Sequence, residues 1–195
     1  MNEHKELLQK WLKVLFYAQI ASMAITVINA VSYLDNITAW ILKALNVITL
    51  WSLFQVKAVN PRYRTAAIAY LGALICGLLT TTVNTNVLGF SSILMLIGSG
   101  CSWVTTYQEY HGHGELVKEM DAKLGKRWNN LFVWEIVVGL AISFVSILAT
   151  TMMVAAGTLT DTITAIVLAL ATITNLALEA LYLLYMKRTL TLLAA

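Results

Sequence analysis

Six apolar runs, each long enough to cross a bilayer, follow one another through a chain of 195 residues. They lie near 12–33, 37–57, 62–83, 87–107, 131–155 and 160–186. A helix needs roughly 20 residues at ~1.5 Å each to cross a ~30 Å hydrocarbon core. In lipid every backbone amide and carbonyl must find its partner within the protein, so runs of this length fold as helices. The links are short and leave almost no chain for a water-soluble domain. Charged residues make up 12% of the chain, against about 25% in a soluble domain. The expected fold is all-α: residues 1–195 as a single polytopic domain, a bundle of six transmembrane helices.

Charge placement orients the bundle. Of the 13 Lys and Arg, all but Lys43 fall near the N-terminus, at 57–64, at 118–127 or at 187–188. These are alternate connections. The others, around 35, 85 and 158, carry no Lys or Arg but do carry Asp35 and Asp161. The positive-inside rule therefore expects a multi-pass plasma-membrane protein with both termini in the cytoplasm. The first run continues to about Leu34, longer than the ~7–15-residue apolar region of a signal peptide, and reads as a retained signal anchor. Cys76 and Cys101 both fall inside apolar runs, so neither a disulfide framework nor a CxxC metal motif is available. The net charge of +3 is accounted for by topology and does not point to nucleic acid.

Between the fourth and fifth runs the pattern changes. Glu109, His111, His113 and Glu115 stand at two-residue spacing, with Gly112 and Gly114 interleaved. In an extended strip all four side chains share one side. In a helix they make two i, i+4 pairs, Glu109 with His113 and His111 with Glu115. Either way imidazole meets carboxylate, the chemistry of a cytoplasmic vestibule or of a nitrogen and oxygen metal site. No other cofactor motif is present. Leu116, Met120, Leu124 and Trp128 then repeat at i, i+4, and Lys118, Lys123, Lys126 and Arg127 occupy the other sides. The spacing predicts an amphipathic interfacial helix over about 115–130. Its apolar face would lie in the headgroup region, with its basic face open to anionic lipid or a partner.

Ionisable and amide side chains inside apolar runs are costly and usually face the bundle interior. Glu135 opens the fifth run, and Asn175 and Glu179 lie in the sixth. Glu179 precedes Lys187 by eight residues, which sets it ~12 Å deep at ~1.5 Å per residue. Lys43 and Asn46 lie in the second run and complete a candidate polar path. Gly98–Ser102, midway in the fourth, can loosen that helix or let a neighbour approach closely. Small side chains line Ala18, Ser22, Thr26 and Ala30 in the first run and Ala69, Ala73 and Gly77 in the third. Such stripes let helices pack closely in lipid, and the two are expected to meet each other or a further subunit.

Three functional classes fit these features. The favoured one is a transporter of a small solute or ion, or a membrane subunit of one, that uses Glu135 and Glu179 as intramembrane carboxylates. The alternative is a partner-binding or immunity-type membrane protein that docks through 109–130, as a homo-oligomer or with another membrane subunit. The third, a metal-assisted membrane enzyme, is the weakest, because no Ser/His/Asp set, HExxH, DxD or paired Cys appears.

Overall fold

The computed structural model describes the backbone of residues 2–31, 35–82, 88–156 and 160–194, and the side chains of 5–28, 37–81, 90–148, 151, 166–167 and 169–194. Six helices account for it: α1 (Asn2–Val31), α2 (Asp35–Val56), α3 (Pro61–Thr82), α4 (Leu88–Lys118), α5 (Ala122–Ala156) and α6 (Thr160–Ala194). Among the described residues α1, α2, α3, α5 and α6 are long and apolar enough to cross a membrane. α4 is equally long, but Ser99, Ser102, Thr105 and Thr106 dilute its apolar run. It sits between α3 and α5 all the same, with its broadest contact on α3. Among the described residues helices and short turns are the whole structure, and the chain is a helical membrane protein.

The helices follow one another around a ring. Each packs on its neighbours in sequence, α6 returns to α1, and α4 also touches α6. Among the described residues α1 does not touch α3, so the expected pairing of their small stripes does not occur. Ala18 instead lines a gap between α1 and α2, with Leu45 and Ile48 opposite. Thr26 is exposed and donates to the Ser22 carbonyl, while the Ala30 side chain lies outside the described residues. On α3, Ala69 and Ala73 are half-buried and Gly77 is open. The α3–α4 contact runs one row over: Gly98 packs against Cys76, and Thr105 donates to the Ala66 carbonyl at 3.4 Å. α4 is unbroken through Gly98–Ser102. Gly98 serves packing rather than a helix break, whereas a Cβ on Gly100 would meet nothing within 4 Å.

The buried core sits at one end. Leu8, Leu12 and Leu15 of α1 join Leu53 and Val56 of α2, Tyr63 and Ala66 of α3, Tyr110 and Val117 of α4, Leu124 and Trp128 of α5, and Tyr182 and Met186 of α6. These are the starts of odd helices and the ends of even ones, the end that also carries Lys and Arg. Asn60 and Pro61 begin α3 as their sequence predicts, with Asn60 Oδ1 accepting from the Arg62 amide at 2.9 Å.

The amphipathic helix expected over 115–130 does not form as a separate element. α4 continues to Lys118, only 119–121 turn, and α5 starts at Ala122. Asp121 explains the break: its Oδ1 accepts from the Leu124 amide at 2.9 Å and caps α5. Leu124 and Trp128 therefore face the bundle core, Leu116 is half-buried, and only Met120 of that apolar line is exposed. Trp128, expected at the membrane surface, is 0% exposed. The i, i+4 pattern is real, but it belongs to the packed faces of two helices.

Candidate functional site

Just inside the packed end, α4, α5 and α6 line an open cavity of about 280 Å³. α4 contributes Ser102, Trp103 and Thr106, α5 contributes Glu135 and Gly139, and α6 contributes Asn175, Leu178 and Glu179. Three residues singled out in the sequence, Glu135, Asn175 and Glu179, thus meet in one place. Ser102 and Thr106 reach it because they sit four residues apart on one face of α4. Glu135 Oε1 accepts from the Tyr110 hydroxyl at 2.7 Å. Glu179 Oε2 is out of contact with solvent and has no hydrogen-bond partner among the described residues. A carboxylate oxygen in that state costs free energy that a bound proton or cation would recover.

Next to this cavity lies a buried polar cluster. Tyr182 donates to Glu109 Oε1 at 2.5 Å, and Tyr63 Oη and His113 Nδ1 hydrogen-bond at 2.7 Å. His113 is 0% exposed; its Nε2 stands 3.5 Å from Glu109 Oε1, within ion-pair reach but not hydrogen-bonded. Trp128 covers the imidazole at 4.6 Å between ring centroids and crosses Tyr182 edge to face. Its own indole N–H donates to Thr189 at 3.1 Å. Gly112 makes this possible, since a Cβ there would meet the Tyr63 ring at 3.1 Å. Tyr110 packs on Tyr182 at 5.5 Å between centroids and links the cluster to Glu135.

The Glu109–Glu115 strip is therefore helical and divided. Glu109 and His113 turn into the core. His111 uses its Nδ1 as a donor to the Tyr107 carbonyl at 2.9 Å and stacks on the Tyr107 ring. Glu115 leaves its expected partner His111 and accepts from Arg62 at 2.7 Å and Asn60 at 3.0 Å. Partial burial works against the Glu115 charge, but these two hydrogen bonds and the guanidinium outweigh it and hold the carboxyl below its usual value. Among the described residues no three His, Cys, Asp or Glu gather as metal ligands. The four residues proposed as a metal site or open vestibule are split in two: Glu109 and His113 lie in the buried cluster, whereas His111 and Glu115 line a cleft between α4 and α5.

Lys43 and Asn46 do not join the cavity. Lys43 is exposed on α2 with its ammonium 4.5 Å from the centre of the Trp40 ring, a cation–π contact. Asn46 accepts from Tyr70 at 2.8 Å. Lys118, Lys123 and Lys126 are exposed at the α4–α5 turn and Arg127 is half-buried there. Arg188 of α6 ties the same turn through Asp121 Oδ2 at 2.7 Å. The Leu124 amide, ahead of this guanidinium, holds the Asp121 carboxyl below its usual value.

Sequence reading missed Thr106, Tyr110, Tyr182 and Tyr63. A signal for the first two existed: Ser102, Thr106 and Tyr110 form an i, i+4 row that continues the fourth apolar run as helix. Tyr63 and Tyr182 carried none, because aromatic residues near a span end are equally expected at the lipid interface. Comparison with protein-family models, curated proteins and solved structures finds no match to this chain.

Proposed function

We propose that this protein is a membrane transporter, or the membrane subunit of one, that binds a small cationic solute between α4, α5 and α6. The observation that carries the reading is the convergence of Glu135 and Glu179 on one cavity, with Glu179 Oε2 unpartnered. Two carboxylates at membrane depth cost several kcal/mol if both remain charged and alone. A proton or a cation removes that cost, and the two compete for the same oxygens. Where such a site is exposed in turn to the two sides, this competition exchanges a cation for a proton. Asn175, Ser102 and Thr106 add neutral oxygens, and Trp103 offers an aromatic wall for an organic cation. In this reading the basic end faces the cytoplasm, on the strength of the Lys and Arg distribution alone.

Reconstituted protein with a pH-sensitive dye in the vesicle lumen tests this. Gradients of sodium, potassium and tetramethylammonium, applied singly, are expected to drive proton counter-movement with at least one of them. The Glu135→Gln, Glu179→Gln double variant is expected to lose it while keeping stability within about 1 kcal/mol. Silence of the wild type toward all three, or equal flux in the double variant, defeats the proposal.

A further inference from the structure

The geometry points to a second site, for a phosphate group, in the cleft between the end of α4 and the start of α5. This cleft, about 270 Å³, is lined by His111, Glu115, Lys118, Lys126 and Asn129, with Gly114 and Gly125 among its other walls. Its charge balance is the argument. Lys118 and Lys126 are exposed on its rim, and among the described residues neither belongs to an ion pair. The one carboxylate lining it, Glu115, is already engaged by Arg62 at 2.7 Å and Asn60 at 3.0 Å. Two lysines thus line one open cleft whose only lining carboxylate is already engaged. Gly114 and Gly125 bring the two helices so close that a Cβ on Gly125 would lie 2.9 Å from the Gly114 carbonyl oxygen. That contact sets the spacing of the two helices, each of which contributes one lysine to the cleft.

A phosphate oxygen accepts several charge-assisted hydrogen bonds at once, so it answers two lysines and an amide better than a single carboxylate would. The chemistry is shared by an anionic lipid headgroup, which a basic cleft at a helix-bundle end can hold, and by a soluble phosphate compound. The site does not depend on the transport reading, as none of its residues lines the α4–α5–α6 cavity.

Protein labelled with [15N]glycine gives one amide signal for each of its 10 glycines, and Gly114 and Gly125 report on the cleft. In phosphatidylcholine nanodiscs, at constant ionic strength, pyrophosphate is titrated; in a second arm the discs contain phosphatidylglycerol instead. Selective shifts of Gly114 and Gly125 with pyrophosphate assign a soluble phosphate, and shifts with phosphatidylglycerol assign a headgroup. Lys118→Gln and Lys126→Gln are each expected to weaken the response about fivefold, the effect of one basic residue near an anionic surface. Lys123→Gln removes the same charge from an exposed position that does not line the cleft and is expected to leave it intact. Unshifted glycines in both arms, or equal weakening by Lys123→Gln, overturns the site.

Discussion

The two ends of this bundle reach different packing densities. At the basic end, α4 and α5 approach so closely that a single added Cβ would meet a carbonyl oxygen at 2.9 Å. Trp128, Tyr63, Leu12 and His113 are fully buried there. Toward the other end an apolar gap of about 240 Å³ separates α5 from α6, between residues such as Ile142, Val145 and Leu170. Ile37, Trp40, Leu96, Phe144 and Ile173 are each mostly exposed. The difference lies in what the packed end has to satisfy. It holds Glu109, His113 and Glu115 in contacts that each join α4 to another helix, and Asp121 ties the α4–α5 turn to α6. Apolar surface facing lipid has no such requirement, because lipid tails solvate it as well as another helix does. The carboxylate-lined cavity lies where dense packing gives way to loose packing.

That contrast predicts its own tests. The largest effect is expected from Trp128→Ala, which removes a fully buried ring and the hydrogen bond to Thr189. Such a truncation costs about 3–5 kcal/mol, whereas Trp40→Ala at the exposed end should stay within about 0.5 kcal/mol. Denaturant titration of the two variants in the same detergent measures both. Equal losses would mean that the ends do not differ in packing.

A smaller split is expected between two glycines. Gly125→Ala forces a methyl group against the Gly114 carbonyl and the Lys118 backbone and should destabilise by about 1–3 kcal/mol. Gly77→Ala meets nothing within 4 Å and should gain up to about 1 kcal/mol from helix propensity. Thermal unfolding reads the sign directly, and a destabilising Gly77→Ala would place a hidden neighbour there.

The smallest effect concerns acid. Glu115 and Asp121 both have carboxyls held below their usual values in the folded chain. Such groups lend stability that is present above the unfolded-state pKa, near 4, and is lost as pH falls through the lower folded value. Lowering pH from about 5 to 3 should therefore loosen the Arg62–Glu115 and Arg188–Asp121 ties before the Trp128 core opens. Hydrogen exchange at 118–125 should rise over that window, and Glu115→Gln with Asp121→Asn should flatten the change. An unaltered pH response in the double variant would show that other groups govern the turn.

Apolar length and the Asn60–Pro61 start determined, from the sequence alone, that this chain is a set of membrane-length helices and where α3 begins. The cost of polar atoms in lipid marked Glu135, Asn175 and Glu179 as residues needing partners, and the structure brings those three together. Which faces meet was left to the tertiary structure. In water an apolar stripe marks the side that packs, but in lipid both the packed side and the outer side are apolar. The Leu116–Trp128 row therefore read as a surface helix until the Asp121 cap and the burial of Leu124 and Trp128 placed it inside the bundle. For the same reason neither the separation of α1 from α3 nor the exclusion of Lys43 from the polar cavity could be read from spacing. Tyr63, fifty residues from His113 along the chain, supplied its hydrogen bond only once α3 and α4 were laid side by side.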